Sequence, residues 1–208
     1  MPKPISLIER KEAFNARTAQ YLRLSYDRFA ASDFVVAGGG NLFGPALDIG
    51  TGKGLTAMAL AKKGLDVISV DIDADEQAFA LFLTREAGLD HRIKFKCQSA
   101  SELPYPDSYF GCVVLSDILH HLEDAAPVLK EAARVLAPQG IMIIADFSAD
   151  GFEIVARLHR EDGHFHAVSG ETPETAAKFL NARGFEIKKR LSGHMQEIIV
   201  LTRKGDRQ

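Results

Sequence analysis

With 208 residues, 46% of them hydrophobic, the chain can bury one sizeable core, and one α/β domain with a short extension is the economical reading. A net charge of -3 gives no general attraction for nucleic acid or an anionic membrane, which relies on clustered Lys and Arg, so small substrates are expected before RNA or DNA. No apolar run reaches the roughly 20 residues that span a bilayer and no signal-peptide core opens the chain; the expectation is a cytoplasmic protein, monomeric or homodimeric.

Met1 to about Ala31 is charged and broken by Pro2 and Pro4, then loosely periodic in apolar residues (Ile8, Phe14, Tyr21, Leu24, Phe29), which predicts one or two helices laid over the domain. Phe34 to Val36 and Gly38 to Gly40 lead into a first strand whose start is marked by Pro45. Ala46 to Gly54 then reads Ala-Leu-Asp-Ile-Gly-Thr-Gly-Lys-Gly, followed by a helix over Leu55 to Lys63 that stops at Gly64. Glycine permits positive φ and close approach, and a helix start offers unpaired N–H groups, so the turn suits a carboxylate or phosphate. A bare strand-to-helix turn satisfies the same pattern. The spacing discriminates: Gly50, Gly52 and Gly54 run Gly-x-Gly-x-Gly, whereas dinucleotide folds favour Gly-x-Gly-x-x-Gly. Lys53 is expected to face solvent, since no Walker pattern surrounds it.

Asp66 to Asp71 reads as a second strand ending in an acid, about 20 residues past the glycines, where doubly wound folds present a carboxylate to ribose hydroxyls. Asp73 and Asp75 fit capping of the next helix, Glu76 to Ala87. Ile93 to Cys97 and the all-apolar Gly111 to Leu115 supply strands three and four. A helix over Glu123 to Leu136 and a strand over Ile141 to Ala145, closed by Asp146, complete an alternating β/α series that argues for a parallel sheet with helices on both faces. Beyond it, Phe152 to Glu161 and Pro173 to Ala182 read as helices. Phe185 to Leu191 and Gln196 to Thr202 read as strands joined at Ser192 to His194, hence antiparallel. Cys97 and Cys112 fall in strand-like runs and are expected as buried free thiols.

Between Ala46 and Asp146 the chain resembles the class I S-adenosylmethionine-dependent methyltransferases, in particular the ubiquinone and menaquinone biosynthesis group. The glycine motif with Asp48 ahead of it carries the likeness, together with Leu-Pro-Tyr-Pro-Asp-Ser-Tyr-Phe at Leu103 to Phe110, His-His-Leu-Glu-Asp at His120 to Asp124, and the Leu129 to Ile141 helix and Pro-x-Gly entry. The resemblance implies a doubly wound, mostly parallel seven-stranded sheet of order 3-2-1-4-5-7-6 with an antiparallel C-terminal strand and an N-terminal helical extension. It divides the chain into an N-terminal cap (1–44), a cofactor-binding core (45–147) and substrate-side helices with a C-terminal hairpin (148–208).

It also implies S-adenosyl-L-methionine as cofactor. Gly50, Thr51 and Gly52 would lie against its methionyl part, with Asp48 near the ammonium, directly or through water. Asp71 would take the ribose hydroxyls and Ile72 the adenine. Ser99 and Ala100 stand where the family places an acid followed by Ala, a departure that weakens one adenine contact. Ser116 and Asp117 would border the sulfonium and His121 would start the helix beneath it. Methyl transfer is an in-line displacement, for which alignment supplies much of the acceleration; a general base is needed only for a protonated acceptor. Candidates for that base are His166, His164, His159 and Asp146. The histidines form no recognised metal spacing, and a structural role for His120 and His121 competes with catalysis. The expected activity is methylation of a small molecule at oxygen, nitrogen or sulfur. A nicotinamide-dependent oxidoreductase and a non-catalytic cofactor-binding module are the alternatives.

Overall fold

The run Ala46–Ile49 becomes strand β1, an interior strand of a seven-stranded sheet, and all four of its residues are buried because helices cover both faces. The computed structural model describes residues 6–161, 163 and 169–205. Around β1 lie β2 (Val67–Asp71), β3 (Ile93–Cys97), β4 (Phe110–Ser116), β5 (Leu136–Phe147), β6 (Phe185–Gly193) and β7 (Gln196–Arg203), in the order β3-β2-β1-β4-β5-β7-β6. The first five strands pair in parallel, and β7 inserts antiparallel between β5 and β6. This is the order the resemblance implies.

Alternation along each strand sorts side chains into two cores. Leu47, Ile49, Val113, Leu115, Met142, Ile144, Ile199 and Leu201 face α5 (Ala126–Val135) and α7 (Pro173–Asn181). Ala46, Cys112, Val114, Ile143, Ala145, Ile198 and Val200 face α2 (Arg28–Gly38) and α3 (Leu55–Lys62). Each large apolar side chain fully buried this way contributes about 1.5–3 kcal/mol relative to exposure. Both cores close away from the carboxyl ends of the parallel strands, which leaves that edge open.

The N-terminal helices cover the edge. Helix α1 (Leu7–Arg23) starts with a capping box in which Ser6 and Glu9 satisfy each other's backbone. Near its start, Arg10 bonds the Asp75 carbonyl and pairs with Glu76 on α4 (Ala74–Glu86), while Phe14 packs edge-on against Phe79. At its other end Tyr21 packs with Tyr26 and with Val155 and Leu158 of α6 (Ala149–Glu161). The helix thus spans from α4 to α6 across the mouth of the sheet.

Several boundaries differ from expectation. Phe34 to Val36 belong to α2, whose N-cap Asp27 accepts from the Phe29 and Ala30 amides and whose Val35 and Val36 are buried; the segment packs on the sheet as a helix. Helix α5 begins at Ala126 because a 3-10 turn, Leu119–His121, takes up the preceding residues and Asp124 accepts from the Ala126 amide. Strand β5 begins at Leu136, which pairs with Phe110 before a register shift absorbs the Pro138 to Gly140 stretch. The hairpin turns at His194 and Met195, both at positive φ, as a two-residue turn between twisted strands requires. Cys112 is a buried free thiol as expected, but Cys97 is exposed at the end of β3, where it contacts the Ile72 carbonyl.

Candidate active site

A cavity of about 400 Å³ opens over the carboxyl ends of β1 and β4, with α1, α2 and α6 on its outer side. Its inner wall is the glycine turn. Gly50, Gly52 and Gly54 all have positive φ, and a Cβ added to Gly52 would meet nothing within 4 Å, so bare backbone faces open space there. A Cβ at Gly50 would come within 2.8 Å of Ile118. The absence of a side chain at Gly50 therefore serves the packing of the β4 loop, and at Gly52 it leaves bare backbone in the cavity wall.

Beneath the turn runs a chain of hydrogen bonds. Gln77 Nε2 donates to Thr51 Oγ1 (2.7 Å), Thr51 contacts Ser69 Oγ (2.6 Å), and Ser69 donates to Asp48 Oδ2 (2.7 Å). This corrects the expectation for Asp48. Its carboxyl is 1% exposed and does not line the cavity, because alternation on β1 turns it onto the buried sheet face opposite Leu47 and Ile49, against Ser69 of β2. Burial pushes it up to about 7, with the Ser69 bond opposing and the Asp71 charge adding to the shift. Asp48 acts on the turn through Ser69 and Thr51.

Asp71, at the tip of β2, accepts from the Gly52 amide (3.1 Å) and the Asp73 amide (3.0 Å), one on each oxygen, which leaves lone pairs on both. Asp73 caps α4, accepting from the Asp75 and Glu76 amides. Next to Asp71, Ile72 is 76% exposed, an apolar side chain held out at the strand tip. Ser99 is exposed and bonded to Ser101 Oγ (2.7 Å), while Ala100 packs against the core; both lie outside the cavity wall, on the β3 side of it. Lys53 does not simply face solvent. It reaches both oxygens of Glu76 (2.7 and 2.6 Å), tying the turn to α4.

The opposite wall is rich in rings. Ser116 and Asp117 lie at the end of β4, followed by His120 and His121; Tyr21, Tyr26, Phe147 and His159 complete it. Asp117 has φ 54, and its Oδ1 is buried without a hydrogen-bond partner. Burial, reinforced by Asp146, pushes Asp117 up to about 7. Burial raises Tyr21 and Tyr26 and lowers His121, favouring the neutral form of each. Arg28 also lines the cavity, its guanidinium 5.2 Å from the Tyr21 ring and 5.3 Å from the Phe14 ring, and among the described residues no carboxylate pairs with it.

Of the candidates for a base, His159 reaches the cavity, and His164 and His166 lie outside the described residues. Asp146 is corrected as a direct base. It is 1% exposed, and its oxygens accept from His120 Nδ1 (2.6 Å), the His120 amide (3.1 Å) and the Phe147 amide (2.8 Å). Sequence reasoning weighed His120 between a structural and a catalytic role; what it missed is the carboxylate partner that holds this imidazole in the cavity wall. The pairing joins residues 26 apart, and only the neighbouring ends of β4 and β5 bring them together. Among the described residues no group of His, Cys, Asp and Glu could hold a metal ion.

A glycine turn at the carboxyl edge of a 3-2-1-4-5-7-6 sheet, with an acid at the tip of the next strand, is the class I methyltransferase fold that the sequence resemblance implies. Residues 47–144 match the family described as a methyltransferase domain. The 27-O-demethylrifamycin SV methyltransferase of Amycolatopsis mediterranei is 38% identical over 56% of this chain and 45% of its own length. A ubiquinone/menaquinone biosynthesis C-methyltransferase of Rickettsia akari is 36% identical over 52% of this chain and 46% of its own. The chain spans about half the length of these curated relatives. The fold is shared with a crystal structure of a candidate S-adenosyl-L-methionine-dependent methyltransferase from Methanococcus maripaludis, TM-score 0.71 at 20% identity, over 99% of this chain and 98% of that one. Residues 47–144 are thus similar to a methyltransferase domain and the whole chain shares the fold of S-adenosyl-L-methionine-dependent methyltransferases, a likeness that implies S-adenosyl-L-methionine as cofactor. The residues present fit that group: open backbone at Gly52, a carboxylate with a lone pair left on each oxygen at Asp71, an exposed apolar tip at Ile72, and a buried Oδ1 without a hydrogen-bond partner on Asp117. Among the described residues no helix is long and apolar enough to cross a membrane.

Proposed function

We propose that the chain transfers a methyl group from S-adenosyl-L-methionine to a small-molecule acceptor, with His120 as the general base. The observation that carries this reading is the His120–Asp146 pair set in the wall of the cavity that the glycine turn also lines. When bound, the cofactor supplies a methyl carbon already activated by positive sulfur. The chain's work is then to bind, align and exclude water.

Gly50 to Gly52 and Asp71 would hold the cofactor's methionyl chain and ribose, and Ile72 would pack on adenine. Asp117 would take the ammonium in place of Asp48, and Arg28 the carboxylate, since each brings to the cavity a charge or lone pair without an ion partner among the described residues. The electron-rich faces of Tyr21 and Tyr26 suit a neighbouring positive charge. On His120, donation of the Nδ1 proton to Asp146 leaves the lone pair on Nε2, which can take the proton of an acceptor hydroxyl or amine as the new bond forms. Helices α1 and α6 cover the mouth, which favours aligned reactants over hydrolysis.

Calorimetry with S-adenosylhomocysteine and with NAD tests the cofactor. Binding of the first and not the second is expected; binding of NAD alone would replace this reading with an oxidoreductase. A metabolite screen with methyl-labelled cofactor then identifies the acceptor.

A further inference from the structure

A second cavity of about 240 Å³ opens beside the first, over the ends of β5 and β7 and against the start of α7. Phe147 is in the wall of both. His120 lines the first cavity and its partner Asp146 lines the second, so the pair stands where the two meet. Phe147 and the buried His120–Asp146 pair are thus the partition between the two cavities.

The lining restricts what the second cavity can take. Phe147, Phe152, Pro173, Ile198 and Ile199 present apolar surface, which favours a body that gives up water in exchange for contact. The charged groups around it are Asp146, which His120 and two backbone amides engage, three glutamates and one arginine. Arg190 is engaged by Glu174 at 3.2 to 3.4 Å. Glu171 and Glu197 have hydroxyl partners, Thr175 Oγ1 and Ser192 Oγ, each at 2.8 Å, and among the described residues no cation pairs with either. Two uncompensated carboxylates beside an apolar floor repel an anion and attract an ammonium.

We infer that this second cavity holds the non-reacting body of the methyl acceptor, and that this body is apolar, of ring size, and carries an amine and no carboxylate or phosphate. The inference rests on the methyltransferase reading and names its substrate class. Volume and lining set the body, the glutamates set the sign of its charge, and the shared Phe147 wall places it beside His120.

Two probes with one body and opposite charge test it: 1-naphthylmethylamine and 1-naphthoate, titrated by calorimetry into the full chain with and without saturating S-adenosylhomocysteine. The amine is expected to bind one per chain, at least tenfold tighter than the carboxylate. Glu197→Gln should narrow that ratio severalfold. Phe152→Trp, which fills the cavity, should abolish amine binding while S-adenosylhomocysteine binds as before, and that retained binding also reports a folded variant. Equal affinity for the two probes, no binding of the amine, or amine binding indifferent to Phe152→Trp overturns the inference. A chain that binds the amine but not S-adenosylhomocysteine would instead overturn the cofactor assignment.

Discussion

Asp146 Oδ1 lies 2.6 Å from His120 Nδ1, and both side chains are 2% exposed. A buried carboxylate that also accepts two backbone amides is a rigid holder, and it fixes which imidazole nitrogen carries the proton.

If this pair supplies the base, His120→Ala should lower the methyl-transfer rate about 10²- to 10⁴-fold toward a hydroxyl acceptor while S-adenosylhomocysteine affinity changes little. Asp146→Asn should lower the rate as well, because an amide can donate to Nδ1 and favour the wrong tautomer. Rates under single turnover, compared with calorimetric affinities, separate the two effects; an unchanged rate in His120→Ala would remove it from the chemistry.

Asp71→Ala should weaken S-adenosylhomocysteine by about ten- to a hundredfold, the span of 1.5–3 kcal/mol for a charged hydrogen-bonding group. The same change frees the Gly52 amide that Asp71 holds. Tight binding by this variant would take Asp71 out of the site.

Arg28→Gln should weaken S-adenosylhomocysteine by about tenfold or more but leave 5′-methylthioadenosine, which lacks the amino-acid end, unaffected. Equal loss for both ligands would assign Arg28 to shaping the cavity through its Tyr21 and Phe14 contacts.

Gly50→Ala places a Cβ 2.8 Å from Ile118 at φ 86, and the left-handed backbone alone costs an L-residue about 1–2 kcal/mol. Its urea midpoint should fall. Gly52→Ala meets no neighbour, so its stability loss should be the smaller of the two and its cofactor affinity should suffer more. The reverse ranking would mean that Gly52 does not face ligand.

Stability should fall as pH rises from about 4 to about 7. Asp48 and Asp117 keep their protons to about 7 in the folded chain, whereas unfolded aspartates lose them near 4. Over that window the folded state binds more protons, so unfolding becomes easier with rising pH and the trend ends above 7. Asp48→Asn, which keeps the acceptor for Ser69, should be more stable than the parent chain at pH 8, by an amount on the order of the 4 kcal/mol that such a pKa difference corresponds to. Urea midpoints of the two proteins from pH 5 to 8 check it: parallel curves would mean Asp48 is ionised throughout.

The sequence by itself determined the strand-turn-helix at Ala46 to Lys62, the order of elements and the antiparallel close, because period, glycine spacing and caps are local properties that neighbouring residues set. It also pointed to Asp71, whose place at a strand tip needs no distant partner. Tertiary structure alone decided that Asp48 faces inward, that Lys53 reaches Glu76, and that Asp146 serves His120, because each depends on which strand or helix lies next door. The second cavity belongs to the same class: its walls come from β5, α6, α7 and β7, and nothing in any one of those segments announces a shared hollow.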